Sequence, residues 1–291
     1  MAEGYAALDS VRLREIRCGG FTVKLQFNPK RIVSSGAKVD AKSIAERKCF
    51  LCLENLPEAQ KGVLYQGDFL ILCNPAPIFS RHYTIANVKH IPQEIEKFAG
   101  VFLSLAKDLS PRFTVFYNGP KCGASAPDHM HFQSSPSGVI PVESDAKDSR
   151  RRVLRKRTGE VSWYTLREYG RHVIVLESGN ARDLEGSLLH VLHVMREFSG
   201  VPEEPMVNIL CSFEQEQWRI ILFPRRKHRP DVYFKEGEGK ILISPASVDI
   251  GGLVITPIEK DFVGVDAKTI ENIFQEVTVE NNTINDIIHT L

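Results

Sequence analysis

The apolar residues of this 291-residue chain fall into short runs, and the order of these runs limits the folds that the chain can adopt. The longest runs, such as Phe69–Cys73 and Ile220–Phe223, have the length of a buried β-strand. In the first half the segments follow the order strand, strand, helix, strand, and a similar order recurs in the second half. The pattern therefore predicts an α+β fold of two tandem units, residues 1–142 and residues 143–291.

Apolar alternation, helical spacing and turn residues locate the individual elements. In the first unit we expect a helix from Pro92 to about Leu109, a loop over residues 34–48, and strands at Phe21–Phe27, Gly67–Cys73, Tyr83–Ala86 and Phe113–Tyr117. In the second unit we expect a hairpin over Pro205–Arg225, helices from Asp183 to Phe198 and over Asp266–Glu276, and strands at Arg171–Glu177, Ile241–Ser244 and Leu253–Thr256. Charge dominates residues 143–160, so this segment is expected to be a solvated connection or a mobile flap.

Charge and hydropathy exclude several classes of function. The 37 basic and 36 acidic residues give a net charge of +1, so the chain lacks the broad basic field of a non-specific nucleic-acid binder. No apolar run approaches the roughly 20 residues of a membrane helix, and the N-terminal residues do not resemble a signal peptide. We expect a cytoplasmic monomer or homodimer with reduced cysteines, acting on neither nucleic acid nor membranes.

The most informative segment is FYNGPKCGASAPDHMHFQ, residues 116–133. His129, His131 and Gln133 alternate, so on a strand they share one face. A neutral imidazole can attack phosphorus near pH 7, and an amide can donate a hydrogen bond to a phosphate oxygen in the transition state. Gly119 and Gly123 would let backbone N–H groups approach phosphate oxygens. The segment therefore predicts phosphate chemistry.

A pair of alternating histidines also occurs on strands for purely structural reasons, so its neighbours matter. Cys49, Cys52, His90 and His129 together make a Cys₂His₂ set, the usual ligand set of structural zinc. The alternative is two buried thiols beside an unligated His90. The ordered spacing of these residues with His82 and His131 is hard to assign to packing, and favours a functional site.

The segment HMHFQ, residues 129–133, resembles the HxHxQ signature of one branch of the histidine-triad (HIT-like) superfamily. This branch contains galactose-1-phosphate uridylyltransferases, dinucleoside-tetraphosphate phosphorylases and GDP-hexose phosphorylases. HYTIANVKH, KCFLCLEN and NPKR are similar to further segments of the branch, and the resemblance covers about residues 26–135. It implies a HIT-like antiparallel sheet with packed helices, duplicated as two tandem HIT-like halves.

The resemblance also implies roles for individual residues. His131 would be the nucleophile, and Gln133 would contact the phosphate of the covalent intermediate. Asn118 and Ser125 would help to hold the phosphates, although the spacing from Asn118 to His131 departs slightly from the uridylyltransferase pattern. In the uridylyltransferases a set like Cys49, Cys52, His90 and His129 holds a structural zinc ion beside the active site, whereas some phosphorylase relatives lack the metal.

The second half contains no HxH motif and is not expected to be a second catalytic centre. Its basic cluster, residues 225–229, follows a predicted strand. Arg225 and Arg226 are candidates for binding the phosphate of a second substrate or leaving group. The alternative is a solvated basic turn. Residues 244–252, SPASVDIGG, are turn-rich and are a candidate lining of the pocket.

Two classes of function remain open at the level of sequence. The first is a nucleotidyltransferase or phosphorylase that acts on a nucleoside diphosphate sugar or a dinucleoside polyphosphate through a nucleotidyl-histidine, with phosphate or a sugar 1-phosphate as acceptor. A nucleotide hydrolase of the histidine-triad type is a variant of it. The second is a non-catalytic, zinc-stabilised nucleotide-binding module. The sequence does not identify the base, the sugar or the acceptor.

Overall fold

The computed structural model describes residues 2–290, and a sheet of ten strands runs through its centre. The ten strands lie in the order β3-β4-β5-β7-β6-β11-β12-β10-β9-β8, and each pairs with its neighbours in antiparallel fashion. Their bounds are β3 Gly62–Tyr65, β4 Phe69–Cys73, β5 Tyr83–Asn87, β6 Phe113–Asn118, β7 His131–Pro136, β8 Arg152–Thr158, β9 Val161–Leu166, β10 Ile174–Ser178, β11 Val207–Glu214 and β12 Gln217–Pro224.

A second sheet of three strands joins the beginning of the chain to its last part. It contains β1 Arg12–Arg17, β2 Thr22–Phe27 and β13 Leu253–Thr256, with β13 parallel to β2. The α-helices are α1 Ala2–Ala6, α2 Ile32–Ser35, α3 Ala41–Glu46, α4 Ala99–Asp108, α5 Pro141–Asp145, α6 Ala181–Ser199, α7 Asp231–Phe234, α8 Ser247–Ile250, α9 Glu259–Gly264, α10 Ala267–Val277 and α11 Asn281–Thr290. None of these described helices combines the length and the apolar content needed to cross a membrane.

Both faces of the central strands of the large sheet are buried. On β6, Val115 and Tyr117 enter a core with α4 and α6, while Phe116 enters a core on the opposite face with β2, β13 and α10. This alternation follows from the two-residue period of a strand. The central strands are therefore rigid on both sides, and they can fix the side chains at their ends.

The two halves meet in the middle of the sheet. Each half supplies five consecutive positions in the strand order, and the junction is the pairing of β6 with β11, from Asn208 opposite Asn118 to Cys211 opposite Val115. The boundary predicted after residue 142 falls inside α5. As a consequence, residues of the second half lie directly beside the end of β6.

Several elements predicted from the sequence are confirmed, and others are wrong for identifiable reasons. The strands at β2, β4, β5, β6, β10 and β13, the hairpin β11–β12 and the helix α10 lie where the patterns indicated. The helix expected from Pro92 begins only at Ala99, after a 3₁₀ turn, because residues 91–95 are held in another conformation by contacts described below. The N-cap of α6 is Asn180, whose side chain accepts from the N–H groups of Arg182 and Asp183, so Asp183 is not the cap.

Three expectations about irregular segments are corrected. Residues 143–160 contain α5 and the edge strand β8, where charged side chains reach solvent, so they are not a flap. Residues 34–48 contain α3, capped by Asp40. Ile241–Ser244 is not a strand, since the N–H of Leu242 is bound by the Asp261 carboxylate and that of Ile243 by the carbonyl of Ile241.

Candidate active site

The motif histidines lie where β7 begins, at the centre of the large sheet. His131 is the first residue of β7, and His129 precedes it at the end of the loop from β6. The residue opposite His131 on β5 is Ala86. On the other side, the pairing of β6 with β7 stops at Phe116 opposite Gln133. The end of β6 and the start of β7 therefore separate, and a gap opens beside His131.

The hydrogen bonds of the His131 imidazole define its tautomer. Its Nδ1 lies 2.8 Å from the carbonyl oxygen of His129, which can only accept, so Nδ1 carries the proton and donates. Nε2 then carries the lone pair, and it has no hydrogen-bond partner among the residues that the structure describes. Burial lowers the pKa of His131 to about 4, although the bond to His129 acts in the opposite direction. The group is therefore a neutral base with an available Nε2.

Gln133 is held by a second histidine. The Nε2–H of His82 donates to the Gln133 side-chain oxygen at 2.9 Å, because His82 Nδ1 accepts from the N–H of Ile78 at 3.1 Å. Asn74 donates to the same oxygen at 3.4 Å. Burial lowers the pKa of His82 to about 3, so the ring is neutral. With its oxygen occupied, Gln133 can offer its NH₂ group to a ligand.

Asn118 is held in the same way by the second half of the chain. Its side-chain oxygen accepts from the N–H of Ser247 at 2.8 Å and from the amide of Asn208 at 3.2 Å. The Ser247 hydroxyl lies 2.7 Å from the same oxygen and shares its single proton with the carbonyl of Tyr117 at 2.6 Å. The NH₂ group of Asn118 makes no hydrogen bond within the described residues. Asn118 and Gln133 are thus both oriented with amide donors free, and both flank the region of His131.

The glycines of the loop between β6 and β7 serve packing more directly than ligand contact. The N–H of Gly119 donates to the carbonyl of Val207, and a Cβ at this position would lie 2.8 Å from that oxygen. Gly123 has φ +113°, and a Cβ there would lie 2.6 Å from that of Ala246. The loop is therefore pressed against the second half. Ser125 is half-buried in this loop, and its hydroxyl bonds to no described residue.

The four residues predicted to bind metal lie together. The nitrogen and sulfur atoms of Cys49, Cys52, His90 and His129 are all within 4.8 Å of one another. Cys49 Sγ is 3.3 Å from His129 Nδ1, and Cys52 Sγ is 3.1 Å from His90 Nδ1. A tetrahedral ion with bonds of about 2.0–2.3 Å needs ligand atoms about 3.3–3.8 Å apart. The donor set and its spacing therefore fit a zinc-like ion.

The second ring nitrogens of these histidines have partners that orient the rings. The Nε2–H of His129 donates to the carbonyl of Asn87 at 2.7 Å, which leaves Nδ1 free to bind a metal. His90 Nε2 lies 3.8 Å from the Asp128 carboxylate, which is itself paired with Arg47. Such outer partners are typical of metal-binding histidines. Because the carbonyl of His129 holds the ring of His131, the cluster and His131 share one short segment of backbone.

The basic cluster after β12 is engaged by protein groups. The guanidinium of Arg225 is buried and donates to Asn208 and to the carbonyl oxygens of Pro245, Val277, Lys227 and His228. Arg226 donates to backbone carbonyls of α10 and pairs with Glu280. Arg225 therefore reaches the site only through Asn208, and the structure does not bring Arg226 to His131. Their predicted role in binding phosphate remains a prediction.

Residues without a local sequence signal complete the site. The spacing of the histidines and cysteines included His82 without giving it a role, and Gln93, Asn208 and Ser247 carry no motif. Of the segment SPASVDIGG, Ser247 contacts Asn118 and Ala246 lies against Gly123, and the role of the segment as a pocket lining stays a prediction. An isolated amide or hydroxyl becomes informative only when the strands that carry it are known to be neighbours.

The comparisons with known proteins agree with this architecture. Residues 144–290 match the family described as "GDPGP1-like, C-terminal domain", and residues 1–136 match the family described as "Domain of unknown function (DUF4922)". No curated protein sequence matches the chain. The crystal structure of yeast Ap4A phosphorylase Apa2 in complex with AMP has a TM-score of 0.58 at 15% identity, covering 95% of this chain and 94% of that chain.

A second structure of the same yeast enzyme, in complex with Ap4A, has a TM-score of 0.55 at 15% identity and covers 95% of each chain. An ADP-glucose phosphorylase from Arabidopsis thaliana with bound ADP-glucose has a TM-score of 0.42 at 14% identity, covering 90% of this chain and 98% of that chain. The likeness to the yeast enzyme confirms the predicted α+β fold, an antiparallel sheet with packed helices.

Proposed function

This chain belongs to the GDPGP1-like family, and we propose that it transfers a nucleotidyl group through a covalent intermediate on His131. The substrate is a nucleoside diphosphate sugar or a dinucleoside polyphosphate, and the acceptor is inorganic phosphate or a sugar 1-phosphate. The observation that carries the proposal is the tautomer of His131. Its proton is held on Nδ1 by the His129 carbonyl, and Nε2 is left as a neutral nucleophile.

In the first half-reaction, the lone pair of His131 Nε2 attacks the α-phosphorus of the substrate. A P–N bond forms, the P–O bond to the leaving group breaks, and the leaving oxygen departs with its electron pair. The positive charge that develops on the ring is stabilised by the bond from Nδ1–H to the His129 carbonyl. In the second half-reaction an acceptor oxygen attacks the same phosphorus, the P–N bond breaks, and Nε2 recovers its lone pair.

The two oriented amides supply donors for the non-bridging phosphate oxygens. Both Asn118 and Gln133 have their side-chain oxygens bound by protein donors, so their NH₂ groups point away from those donors. Fixed donors of this kind stabilise a transition state without reorganisation, and each contributes up to about 10²–10³ in rate. Ser125 is a further candidate donor on the loop.

We propose that the Cys49, Cys52, His90 and His129 cluster holds one zinc ion. Four protein ligands close its coordination, so the ion supplies structure and no open position for catalysis. It joins the loop that carries Cys49 and Cys52 to the loop that ends at His129. Because the His129 carbonyl orients His131, the metal would stabilise the geometry of the nucleophile.

Arg31 is a candidate for binding a further phosphate of either substrate. It belongs to the NPKR segment, and its guanidinium donates to the carbonyl of Ala76 at 2.6 Å, while its Nε is buried with no partner among the described residues. The N–H of Ala76 donates to Asn74, which in turn donates to Gln133, so Arg31 lies near the Gln133 network. We assign it to a phosphate of the leaving group or acceptor.

The six unpaired cysteines are consistent with a reducing, cytoplasmic location.

The proposal is tested by initial rates and by a half-reaction. Ap4A, ADP-sugars, GDP-sugars and UDP-sugars are screened with phosphate, and the active pair is studied at several fixed acceptor concentrations. We expect parallel double-reciprocal lines, and, without acceptor, release of about one leaving group per active site followed by a stall. Intersecting lines would mean direct transfer between bound substrates. Continued release without acceptor would indicate a hydrolase, and nucleotide binding with no release at all would indicate a binding module.

A further inference from the structure

The backbones of β6 and β7 beside His131 are bridged by one buried side chain, Gln93, which no motif marks. It lies on the segment between β5 and α4 and is 3% exposed. Its side-chain oxygen accepts from the N–H of His131 at 2.7 Å. Its NH₂ group donates to the carbonyl of His131 at 3.0 Å and to that of Asn118 at 3.0 Å. The chemistry of these partners fixes the orientation of the amide without ambiguity.

The side-chain amide of Gln93 takes the place of a backbone peptide group in a neighbouring strand. Pairing between β6 and β7 ends at Phe116 opposite Gln133, so the next two residues of β6 have no partner on β7. The Gln93 amide takes that place and binds both main-chain polar groups of His131, as a residue of a neighbouring strand would. The backbone of the same segment follows the loop, with Gln93 N–H donating to the carbonyl of Pro127 and Met130 N–H to that of Ile91.

We propose that Gln93 is a positioning residue for the transfer reaction, and that its side-chain amide sets the distance between His131 and Asn118. This inference rests on the proposed function of His131. The amide acts as a spacer one peptide group wide, which keeps β6 and β7 apart at the site and still satisfies their polar groups. The opening leaves room for a phosphate between the nucleophile and the Asn118 donor.

The role follows from the rigidity of the surrounding groups. Asn118 is held on its other side by Ser247 and Asn208, and His131 is held on its other side by β5. Without Gln93, two carbonyls and one N–H would be buried and unsatisfied, so the strands would close on each other or admit water. Either change displaces Nε2 relative to the Asn118 amide, and a displacement of about 1 Å can cost about 10²-fold in rate.

Two variants separate hydrogen bonding from packing. Gln93→Met keeps the length of the side chain and removes all three hydrogen bonds. Gln93→Glu keeps the shape and replaces the donors with an acceptor that faces two carbonyls. At pH 8 we expect both variants to slow formation of the nucleotidyl-enzyme by about 10²-fold, with the dissociation constant of the nucleotide changed less than about threefold. If only packing mattered, Gln93→Glu would resemble the wild type and the proposal would be overturned.

Trp218→Phe is the matched control for loss of stability. Trp218 is buried on β12, and its ring N–H donates to the carbonyl of Leu103 at 2.9 Å, on a helix away from His131. This variant should lower the melting temperature but leave the rate of the half-reaction within about threefold of the wild type. If it slows the reaction as much as Gln93→Met at equal loss of stability, Gln93 is only a structural residue.

A spectroscopic measurement separates this proposal from the proposed function. In protein labelled with ¹⁵N-histidine, the His131 ring should show one Nδ1–H tautomer in the wild type, and mixed tautomers or altered shifts in Gln93→Met. If the wild type forms no nucleotidyl-enzyme but this difference is present, the proposed function fails and the positioning of the ring by Gln93 is supported. If the wild type forms the intermediate and Gln93→Met changes neither rate nor spectrum, the positioning role is overturned.

Discussion

Replacement of His82 by Phe should slow the transfer reaction by releasing the side chain of Gln133. The ring of His82 lies 5.5 Å from that of Phe79 and 6.0 Å from that of Phe116, so another aromatic ring can occupy its place. The change removes the 2.9 Å donor to the Gln133 oxygen and leaves only the 3.4 Å bond from Asn74. Gln133 can then rotate and present its oxygen to the phosphate.

The magnitude follows from the hydrogen bonds that are lost. A buried hydrogen bond contributes about 1 kcal/mol, which corresponds to roughly a fivefold preference for one amide orientation. With the added disorder of the released side chain, we expect a rate about tenfold lower, or about 1.4 kcal/mol. Removal of the Gln133 donor itself sets the upper limit, at about 10²–10³-fold. The free energy of unfolding should also fall by about 1–3 kcal/mol, because the N–H of Ile78 loses its acceptor.

A double-mutant cycle with Gln133→Leu measures this dependence. In the Gln133→Leu background, His82→Phe should change the single-turnover rate less than about twofold, because there is no amide left to orient. His172→Phe, at a half-buried histidine just before β10, is the control for the exchange of ring type. Because burial holds the pKa of His82 at about 3, the effect should be constant from pH 6 to pH 8.5. Additive rate losses in the cycle would refute the orientation of Gln133 by His82.

Two further predictions concern metal and pH. Protein purified without a polyhistidine tag should contain about one zinc per chain. Cys52→Ser should lower the melting temperature but change the rate of the half-reaction little, because a metal ligand is lost while His131 stays in place. A metal-free protein of full stability and activity would end the zinc proposal. Burial raises the pKa of Glu204 to about 7 from an ordinary value of 4.5, so the folded state binds this proton more tightly than the unfolded state does. The resulting stabilisation of the folded state is complete below pH 4.5 and is lost as the pH rises through 7. The melting temperature of Glu204→Gln should therefore rise relative to the wild type between pH 5 and pH 7.5, whereas a difference that does not vary with pH would contradict the assignment.

Local patterns predicted those parts of the fold and site that depend on neighbouring residues. Alternation identified β2, β4 and β6 because their side chains face two buried layers with a period of two. The spacing of His131 and Gln133 likewise placed these two residues on one strand, whereas His129, expected on the same strand face, lies in the loop before β7. The Cys₂His₂ set was predicted from ligand chemistry, and its four residues do lie together.

Contacts between distant segments could not be predicted in this way. The helix expected at Pro92 is delayed because Gln93 turns inward to bind His131 and because Glu204, far along the chain, accepts from the N–H of Ile95 at 2.6 Å. The basic cluster looked suited to phosphate because its charge is visible in the sequence. The backbone carbonyl oxygens that accept hydrogen bonds from Arg225 cannot be identified from the sequence, because every residue has a carbonyl oxygen.

The central claim is that His131 carries the nucleotidyl group, and mass spectrometry of the stalled enzyme tests it most directly. The enzyme is incubated with its nucleotide substrate without acceptor, quenched at neutral or alkaline pH and digested. The account predicts one nucleoside monophosphate on the peptide that contains His131, lost after acid treatment and on addition of acceptor. His131→Ala should show no adduct and should lose on the order of 10³-fold or more in rate while remaining folded. Turnover by the wild type without any adduct, or an adduct on another residue, would contradict the account.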